Sequence, residues 1–143
     1  MANVEDPAIE EAYNDVRDDN TETDWMACGY VGKTNDLEMI GSGSGGIDEM
    51  KSLFDPTLVV YGYLRVIAGD EESKRPKFIF ITWVGENCGV MRRARVSVHK
   101  ADVKKVIKQF AVERMGTELS EFEYEDIMKE VRKVGGADYQ GNW

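Results

Sequence analysis

Residues 58–68, LVVYGYLRVIA, are followed after a short charged connection by residues 77–84, KFIFITWV. Both segments consist mainly of β-branched and aromatic residues, and apolar residues occupy both alternating sets of positions. This composition is typical of strands that are buried on both faces of a sheet. Because the connection is short, we expect the two strands to form an antiparallel hairpin. The sequence therefore predicts a sheet with this hairpin near its centre.

The segments on either side of the hairpin predict helices and further strands. Asp6 followed by Pro7 is typical of a helix start, with Asp6 as the N-cap and Pro7 in the first helical position. Apolar spacing predicts the remaining elements. Before the hairpin we expect a first helix ended by residues 18–20, strands at 25–31 and 37–40, a loop at 41–46 and a short helix at 47–54. After the hairpin we expect a short helical piece at 89–95, a clear helix at 99–110, an edge strand at 114–120 and a last helix from residue 124 that ends at Gly135–Gly136.

This order of elements predicts an α+β fold in which helices cover both faces of one sheet. A length of 143 residues fits a single domain, which we place at residues 1–136, with residues 137–143 as a C-terminal tail. No apolar stretch approaches the roughly 20 residues that a membrane-spanning helix needs. The first residues, MANVEDP, are acidic and polar, unlike a secretory signal, so we expect a cytoplasmic protein.

The chain is acidic, with a net charge of −9, but its charges are unevenly distributed. Residues 1–72 contain 17 acidic and 4 basic residues, whereas residues 73–108 contain 10 basic residues and only Glu86 and Asp102 as acids. An acidic protein is a poor general ligand for nucleic acid, and no aromatic residues are interleaved with the bases. A concentrated basic patch can steer a specific acidic partner. The alternative is that the patch only improves solubility.

The basic residues of the second half are the candidate binding residues. They form four groups: Lys74, Arg75 and Lys77 at the hairpin; Arg92, Arg93 and Arg95 before the 99–110 helix; Lys100, Lys104, Lys105 and Lys108 along that helix; and Lys129, Arg132 and Lys133 on the last helix. A single lysine on a helix usually does no more than face solvent. Convergence of the four groups on one side of the fold would instead make a docking surface for an acidic partner.

A glycine pattern offers one alternative function. Gly41, Gly43 and Gly46 have the spacing of a dinucleotide-binding fingerprint, in which glycines let a pyrophosphate approach the backbone at a helix N-terminus. The strand predicted before them is short, and no parallel crossover follows it. We therefore interpret these glycines as part of a flexible loop.

The thiols offer a second alternative, a thiol enzyme using Cys88. The single histidine, His99, is the candidate base, but no sequence signature of a cysteine hydrolase surrounds Cys88. His99 is expected to cap a helix or to face solvent. Cys28 lies within a predicted strand, where a buried and inert thiol is usual. We therefore predict a protein that is not an enzyme, without catalytic residues, a cofactor or a metal.

Four local strings resemble those of the coactosins, small actin-filament-binding proteins of the actin-depolymerising-factor (ADF) homology family. The strings are VRDD at 16–19, SKR with KF at 73–75 and 77–78, ITW with GEN at 81–83 and 85–87, and GGADY at 135–139. Together with the order of elements, they extend the resemblance over nearly the whole chain. The match is less clear over residues 29–54.

The resemblance implies an ADF-homology fold, with a central mixed sheet of five or six strands flanked by helices on both faces. It also implies a cytoskeletal protein that binds along the side of actin filaments, with weak or no severing and monomer sequestration. In this family the filament site uses the basic hairpin, where Lys77 matches the principal lysine, and the end of the chain. The long helix is the other actin-facing element in ADF/cofilin, so a filament-depolymerising, monomer-binding protein is the second hypothesis. We expect a monomer that binds filamentous actin and not nucleic acid.

Overall fold

The computed structural model describes residues 1–69 and 73–141, and within its last helix it describes side chains as far as Val134. In chain order, the elements are α1 (Pro7–Arg17), β1 (Trp25–Tyr30), β2 (Leu37–Gly43), α2 (Gly46–Met50), β3 (Val59–Ala68), β4 (Arg75–Val84), α3 (Val90–Val103), β5 (Val112–Gly116) and α4 (Tyr124–Gly141). Short 3-10 turns follow α2 at Lys51–Leu53 and precede α4 at Leu119–Phe122. No helix in the described part of the chain is both long enough and apolar enough to cross a membrane.

The five strands form one mixed sheet in the order β2-β1-β3-β4-β5. The predicted hairpin is confirmed, because β3 and β4 pair antiparallel over ten residue pairs, from Val59 with Val84 to Ala68 with Arg75. The edge strand β5 runs parallel to β4, whereas the other neighbouring strands are antiparallel. The α+β class and the mixed sheet of the predicted fold are therefore confirmed.

Helices cover the sheet on both faces, and each face has its own apolar core. On the α1/α3 face, buried side chains of α1 such as Ile9 and of α3 such as Val96 pack on Tyr61 and Phe80 of the sheet. The α2/α4 face buries residues of α2 and α4 against the opposite side of the same strands. Strands β3 and β4 contribute to both cores, which explains why their sequences are apolar at nearly every position.

The N-cap prediction is confirmed at α1. Asp6 lies outside the helix, its Oδ1 accepts a hydrogen bond from the Ala8 amide at 3.0 Å, and Pro7 occupies the first helical position. The other end of α1 is held by Arg65 of β3, whose guanidinium donates hydrogen bonds to the carbonyl oxygens of Val16, Asp18 and Thr21 at 2.8, 2.8 and 2.9 Å. A single side chain thereby binds a carbonyl group in the last turn of the helix and two in the segment that follows it.

The predicted boundaries of the third helix are wrong. One helix runs from Val90 to Val103 in place of the short helical piece predicted at 89–95 and the clear helix predicted at 99–110. Residues 104–110 of that predicted helix therefore lie beyond its end. The apolar residues of that segment still pack in the α1/α3 core, with Ile107 fully buried. The true helix was hidden because two of its four buried positions are polar, His99 and Asp102. A hydrophobic pattern cannot register these positions.

Two glycine predictions are also wrong. Gly41 and Gly43 are part of β2 and not of a flexible loop. A Cβ atom on Gly41 would lie 2.8 Å from the Leu53 side chain and 3.0 Å from the Trp25 ring, so the glycine leaves room for both. At the other end of the chain, α4 continues through Gly135–Gly136 to Gly141 and does not end there. Of the tail predicted at 137–143, the last two residues lie outside the described part, and the division into domain and tail stays a prediction.

Replacing Thr82 with valine should stabilise the protein. Thr82 is fully buried, and among the described residues its Oγ1 has no hydrogen-bond partner. Valine removes the unsatisfied hydroxyl at similar volume, so we expect Thr82→Val to raise the free energy of unfolding by about 1 kcal/mol and the melting temperature by about 3 °C. Thermal unfolding followed by circular dichroism measures this change. The control is Thr57→Val, which removes a hydroxyl that donates to Asp55 Oδ1 at 2.5 Å and should not stabilise. A lower melting temperature for Thr82→Val would contradict the assignment.

Candidate functional site

The hairpin cluster, Lys74, Arg75 and Lys77, lies at the start of β4. The strand begins at Arg75, two residues earlier than predicted, so Arg75 and Lys77 belong to the sheet and pair with Ala68 and Val66 of β3. Lys74 and Arg75 are exposed, and Lys77 is half-buried. Because side chains alternate along a strand, Arg75 and Lys77 point to the same face as Ile79, which is the α2/α4 face. The sheet therefore fixes the direction of both cations.

The α4 cluster, Lys129, Arg132 and Lys133, is exposed on the helix that covers the same face. Two contacts fix α4 on this face. Phe122, just before the helix, packs on Trp83 with ring centroids 6.1 Å apart. Further along, Glu130 binds Arg114 of β5 at 2.9 Å. Arg75, Lys77 and the α4 cluster therefore lie on the same side of the sheet.

The arginines of α3 lie on the opposite face, and two of them are held by intramolecular contacts. The Arg92 guanidinium lies over the Tyr30 ring at 3.6 Å from its centroid, and it donates to Gly32 O at 3.2 Å and Asn35 Oδ1 at 3.4 Å. Arg93 donates to Glu86 O at 2.8 Å. These contacts connect the start of α3 to neighbouring turns. Arg95 is exposed.

Most lysines at the end of α3 are held by carboxylates. Lys100 and Lys104 bind the two oxygens of Glu113 on β5 at 2.9 and 2.6 Å, and Lys105 binds Asp102 at 3.3 Å. Burial raises the pKa of Glu113, but the hydrogen bonds and charges of the two lysines outweigh it, so that pKa lies below its usual value. Lys108 is exposed. Glu113 therefore neutralises much of the positive charge that the sequence places here.

The four predicted groups do not converge on one side of the fold. Arg75, Lys77 and the α4 cluster share the α2/α4 face, whereas the two groups of the third helix region lie on the α1/α3 face. On that second face, five of the seven predicted cations bind acceptors within the chain: Arg92, Arg93, Lys100, Lys104 and Lys105. The α2/α4 face is the stronger candidate for ionic docking.

The thiol and imidazole groups are not arranged as a nucleophile and its base. Burial raises the pKa of the Cys28 thiol to about 12, so this cysteine stays protonated. Cys88 Sγ lies 3.6 Å from the carbonyl oxygen of Gly89, whereas His99 Nδ1 lies 2.6 Å from the hydroxyl of Tyr30. The prediction that His99 caps a helix or faces solvent is wrong, because His99 lies inside α3 and is 1% exposed.

Sequence reasoning missed an apolar surface along α3 and β5. Val90, Met91 and Val98 are 83%, 63% and 58% exposed on α3, and Met115 of β5 is 55% exposed. Between these elements lies a groove of about 420 Å³, with Val84, Val96 and Thr117 among its lining residues. These apolar residues lie among arginines and lysines in the sequence. The observed boundaries of α3 are needed to tell which of these apolar residues face outward.

Comparison with known proteins gives one consistent family. The family model of cofilin/tropomyosin-type actin-binding proteins matches residues 1–132. Coactosin of Dictyostelium discoideum is 46% identical over 143 residues, which cover 99% of this chain and 97% of that protein. The crystal structure of coactosin from Entamoeba histolytica has a TM-score of 0.83 at 34% identity and covers 88% of this chain and 92% of its own. A crystal structure of human coactosin-like protein has a TM-score of 0.85 at 29% identity, and the match covers 93% of this chain and 99% of the human chain. The chain therefore belongs to the cofilin/tropomyosin-type actin-binding protein family, with coactosins among its relatives.

Proposed function

We propose that this protein binds along the side of actin filaments through the hairpin and α4 clusters, with Lys77 as the principal contact. The observation that carries the proposal is that two clusters of cations share one face of an acidic protein. Lys77 is half-buried in the sheet, so its direction is set before a partner arrives. A preorganised charge loses less conformational entropy on binding than a free side chain.

Charge complementarity supports this docking face. The protein has a net charge of −9, and actin is acidic as well, so the two would repel each other without a local positive surface. Five basic residues lie on the α2/α4 face, Arg75, Lys77, Lys129, Arg132 and Lys133, and Lys74 directly precedes the first of them in the chain. Such a surface steers the encounter and orients the bound protein.

We infer further that the protein decorates filaments without strong severing or monomer sequestration, and acts in this way on the actin cytoskeleton as a monomer. The alternative, disassembly through α3, would use Arg92, Arg93, Lys104 and Lys108. Three of these four side chains bind acceptors within the chain. The rate of filament disassembly separates the two hypotheses, because an accelerated rate would favour the ADF/cofilin-like alternative.

Filament binding should weaken as salt is added. Cosedimentation with actin filaments between about 50 and 300 mM KCl should show a several-fold loss of bound protein, because the screening length falls below the size of the cation clusters. The control is a variant with Gln at Lys74, Arg75 and Lys77, which should bind weakly and show a flatter salt dependence. Salt-independent pelleting would assign binding to the apolar surface of α3 instead. No pelleting at low salt would refute filament binding.

A further inference from the structure

His99 is part of a hydrogen-bonded chain that crosses the α1/α3 core. Its Nδ1 lies 2.6 Å from the hydroxyl oxygen of Tyr30, and that oxygen lies 2.8 Å from the hydroxyl oxygen of Tyr61. His99 is 1% exposed and Tyr61 is fully buried. This chain of hydrogen bonds therefore connects α3 with the neighbouring strands β1 and β3, with both ends buried and Tyr30 half-buried.

The direction of the hydrogens follows from counting donors and acceptors. In the tautomer with its hydrogen on Nε2, a neutral imidazole accepts at Nδ1. Tyr30 then donates to His99 and accepts from Tyr61, and we assign this tautomer because it gives each of the two hydroxyl hydrogens an acceptor. A protonated imidazole carries a hydrogen on Nδ1 and must donate. The two contacts would then hold three hydrogens, so one tyrosine hydroxyl hydrogen would be left without an acceptor among the three groups. Protonation thus leaves a buried charge and an unsatisfied buried donor.

The same tyrosine holds the turn between β1 and β2. The Tyr30 ring lies under the Arg92 guanidinium, and Arg92 donates to Gly32 and Asn35, which both belong to residues 31–36 between the strands. Tyr30 therefore binds α3 twice, through its hydroxyl to His99 and through its ring to Arg92. The position of the turn relative to α3 depends on both contacts.

Most of the charged groups around His99 lower its pKa. Burial lowers the pKa of His99, the amino group of Met1 lowers it further, Asp102 raises it, and Arg92 and Arg95 lower it again. The other titratable groups facing this chain are the hydroxyls of Tyr30 and Tyr61 and the buried thiol of Cys28. The net effect is a pKa below the ordinary value, so His99 is neutral in the folded protein at neutral pH.

We propose that His99 is a proton-sensitive positioning residue: in its neutral form it holds the β1–β2 turn and Arg92 against α3 through Tyr30, and its protonation releases this contact. The unfolded chain takes up a proton near pH 6.5, whereas folded His99 does so only at lower pH. Stability is therefore fully present above about pH 6.5 and decreases as the pH falls below that value. This device is independent of actin binding.

NMR titration tests the proposal directly, because His99 is the single histidine and its imidazole signal needs no assignment by mutation. We expect its midpoint below that of the urea-unfolded chain, because burial and the nearby cations favour the neutral imidazole. Amide signals of residues 31–36 and of the first turn of α3 should shift with the same midpoint. A His99 midpoint equal to that of the unfolded chain, or turn amides that do not follow it, would overturn the proposal.

Two variants separate positioning from simple burial. Tyr30→Phe keeps the ring under Arg92 but removes the hydrogen bond to neutral imidazole, so the midpoint should rise by about half a unit or more, threefold in proton affinity. Tyr61→Phe leaves the Tyr30–His99 hydrogen bond in place, and protonation would still leave one hydroxyl hydrogen, now that of Tyr30, without an acceptor. The midpoint of this variant should therefore stay close to that of the unmodified protein. The matched control is Tyr13→Phe, on the same face but outside the chain, since its hydroxyl accepts from the Gln109 amide. A Tyr30→Phe midpoint equal to those of the other two variants would refute the proposal. Should Tyr30→Phe not fold, the turn amides of the unmodified protein decide, since they must shift with the His99 midpoint.

Discussion

Replacing Lys77 with glutamate should weaken filament binding at least about tenfold, or roughly 1.4 kcal/mol, and leave the protein folded. Lys77 lies within β4, where the sheet directs its side chain toward the α2/α4 face. A reversed charge at this point removes one attraction and introduces a repulsion against an acidic partner. Cosedimentation at low salt measures the affinity, and circular dichroism reports the fold.

A matched reversal on another part of the surface distinguishes local contact from net charge. Lys33→Glu changes the total charge by the same amount, but Lys33 lies in the turn between β1 and β2 and is exposed. It should reduce binding far less than Lys77→Glu. If the two variants lose affinity equally, long-range charge and not the hairpin determines binding. Normal pelleting of Lys77→Glu would remove the hairpin from the site.

Replacing Gly85 with alanine should lower the free energy of unfolding by about 3 kcal/mol. A Cβ atom at this position would lie 2.2 Å from the carbonyl oxygen of Pro56 and 2.7 Å from that of Asp55. Both obstructing atoms belong to the backbone, which cannot rotate away as a side chain can. The Gly85 amide also donates to Leu58 O at 2.8 Å, so the strand cannot move without breaking this bond. Urea unfolding measures the loss.

Gly32→Ala is the matched control for steric obstruction. Gly32 has a φ of +54°, and no atom lies within 4 Å of the Cβ that alanine would add. Gly32→Ala should therefore lower the free energy of unfolding only because alanine disfavours this backbone conformation, by about 1 kcal/mol. An equal loss in the two variants would show that backbone conformation, and not contact with residues 55–56, makes glycine necessary at position 85.

The centre of the fold could be predicted from the sequence because its signals are local. The β3–β4 hairpin has two dense apolar segments joined by a short connection, and α1 has its Asp6 cap next to the residues it stabilises. The third helix could not be placed correctly, since it buries His99 and Asp102 at positions where the pattern needs apolar residues. Their partners, Tyr30 and the Ala2 amide, are distant in the sequence.

The candidate site was predicted as a set of charges, and only the structure shows which charges are engaged. Lys100 and Lys104 bind Glu113, an acid on a strand that follows the helix. Arg92 is held by the turn at residues 31–36, about sixty residues earlier in the chain. No local pattern distinguishes such lysines and arginines from the exposed ones of the hairpin. The assignment of Lys77 to the filament site stays a prediction until binding is measured.

The placement of the hairpin cations on β4 has a mechanical consequence. β4 pairs with β3 over ten residue pairs and with β5 over five, so it is bonded along both of its sides. A force that a bound filament applies to Lys77 along the strand would pull β4 lengthwise between its neighbours. A force in that direction loads all the backbone hydrogen bonds of β4 at the same time, so they must break together and not one after another. The fold thus transmits tension from the contact point into the most extensively bonded part of the sheet.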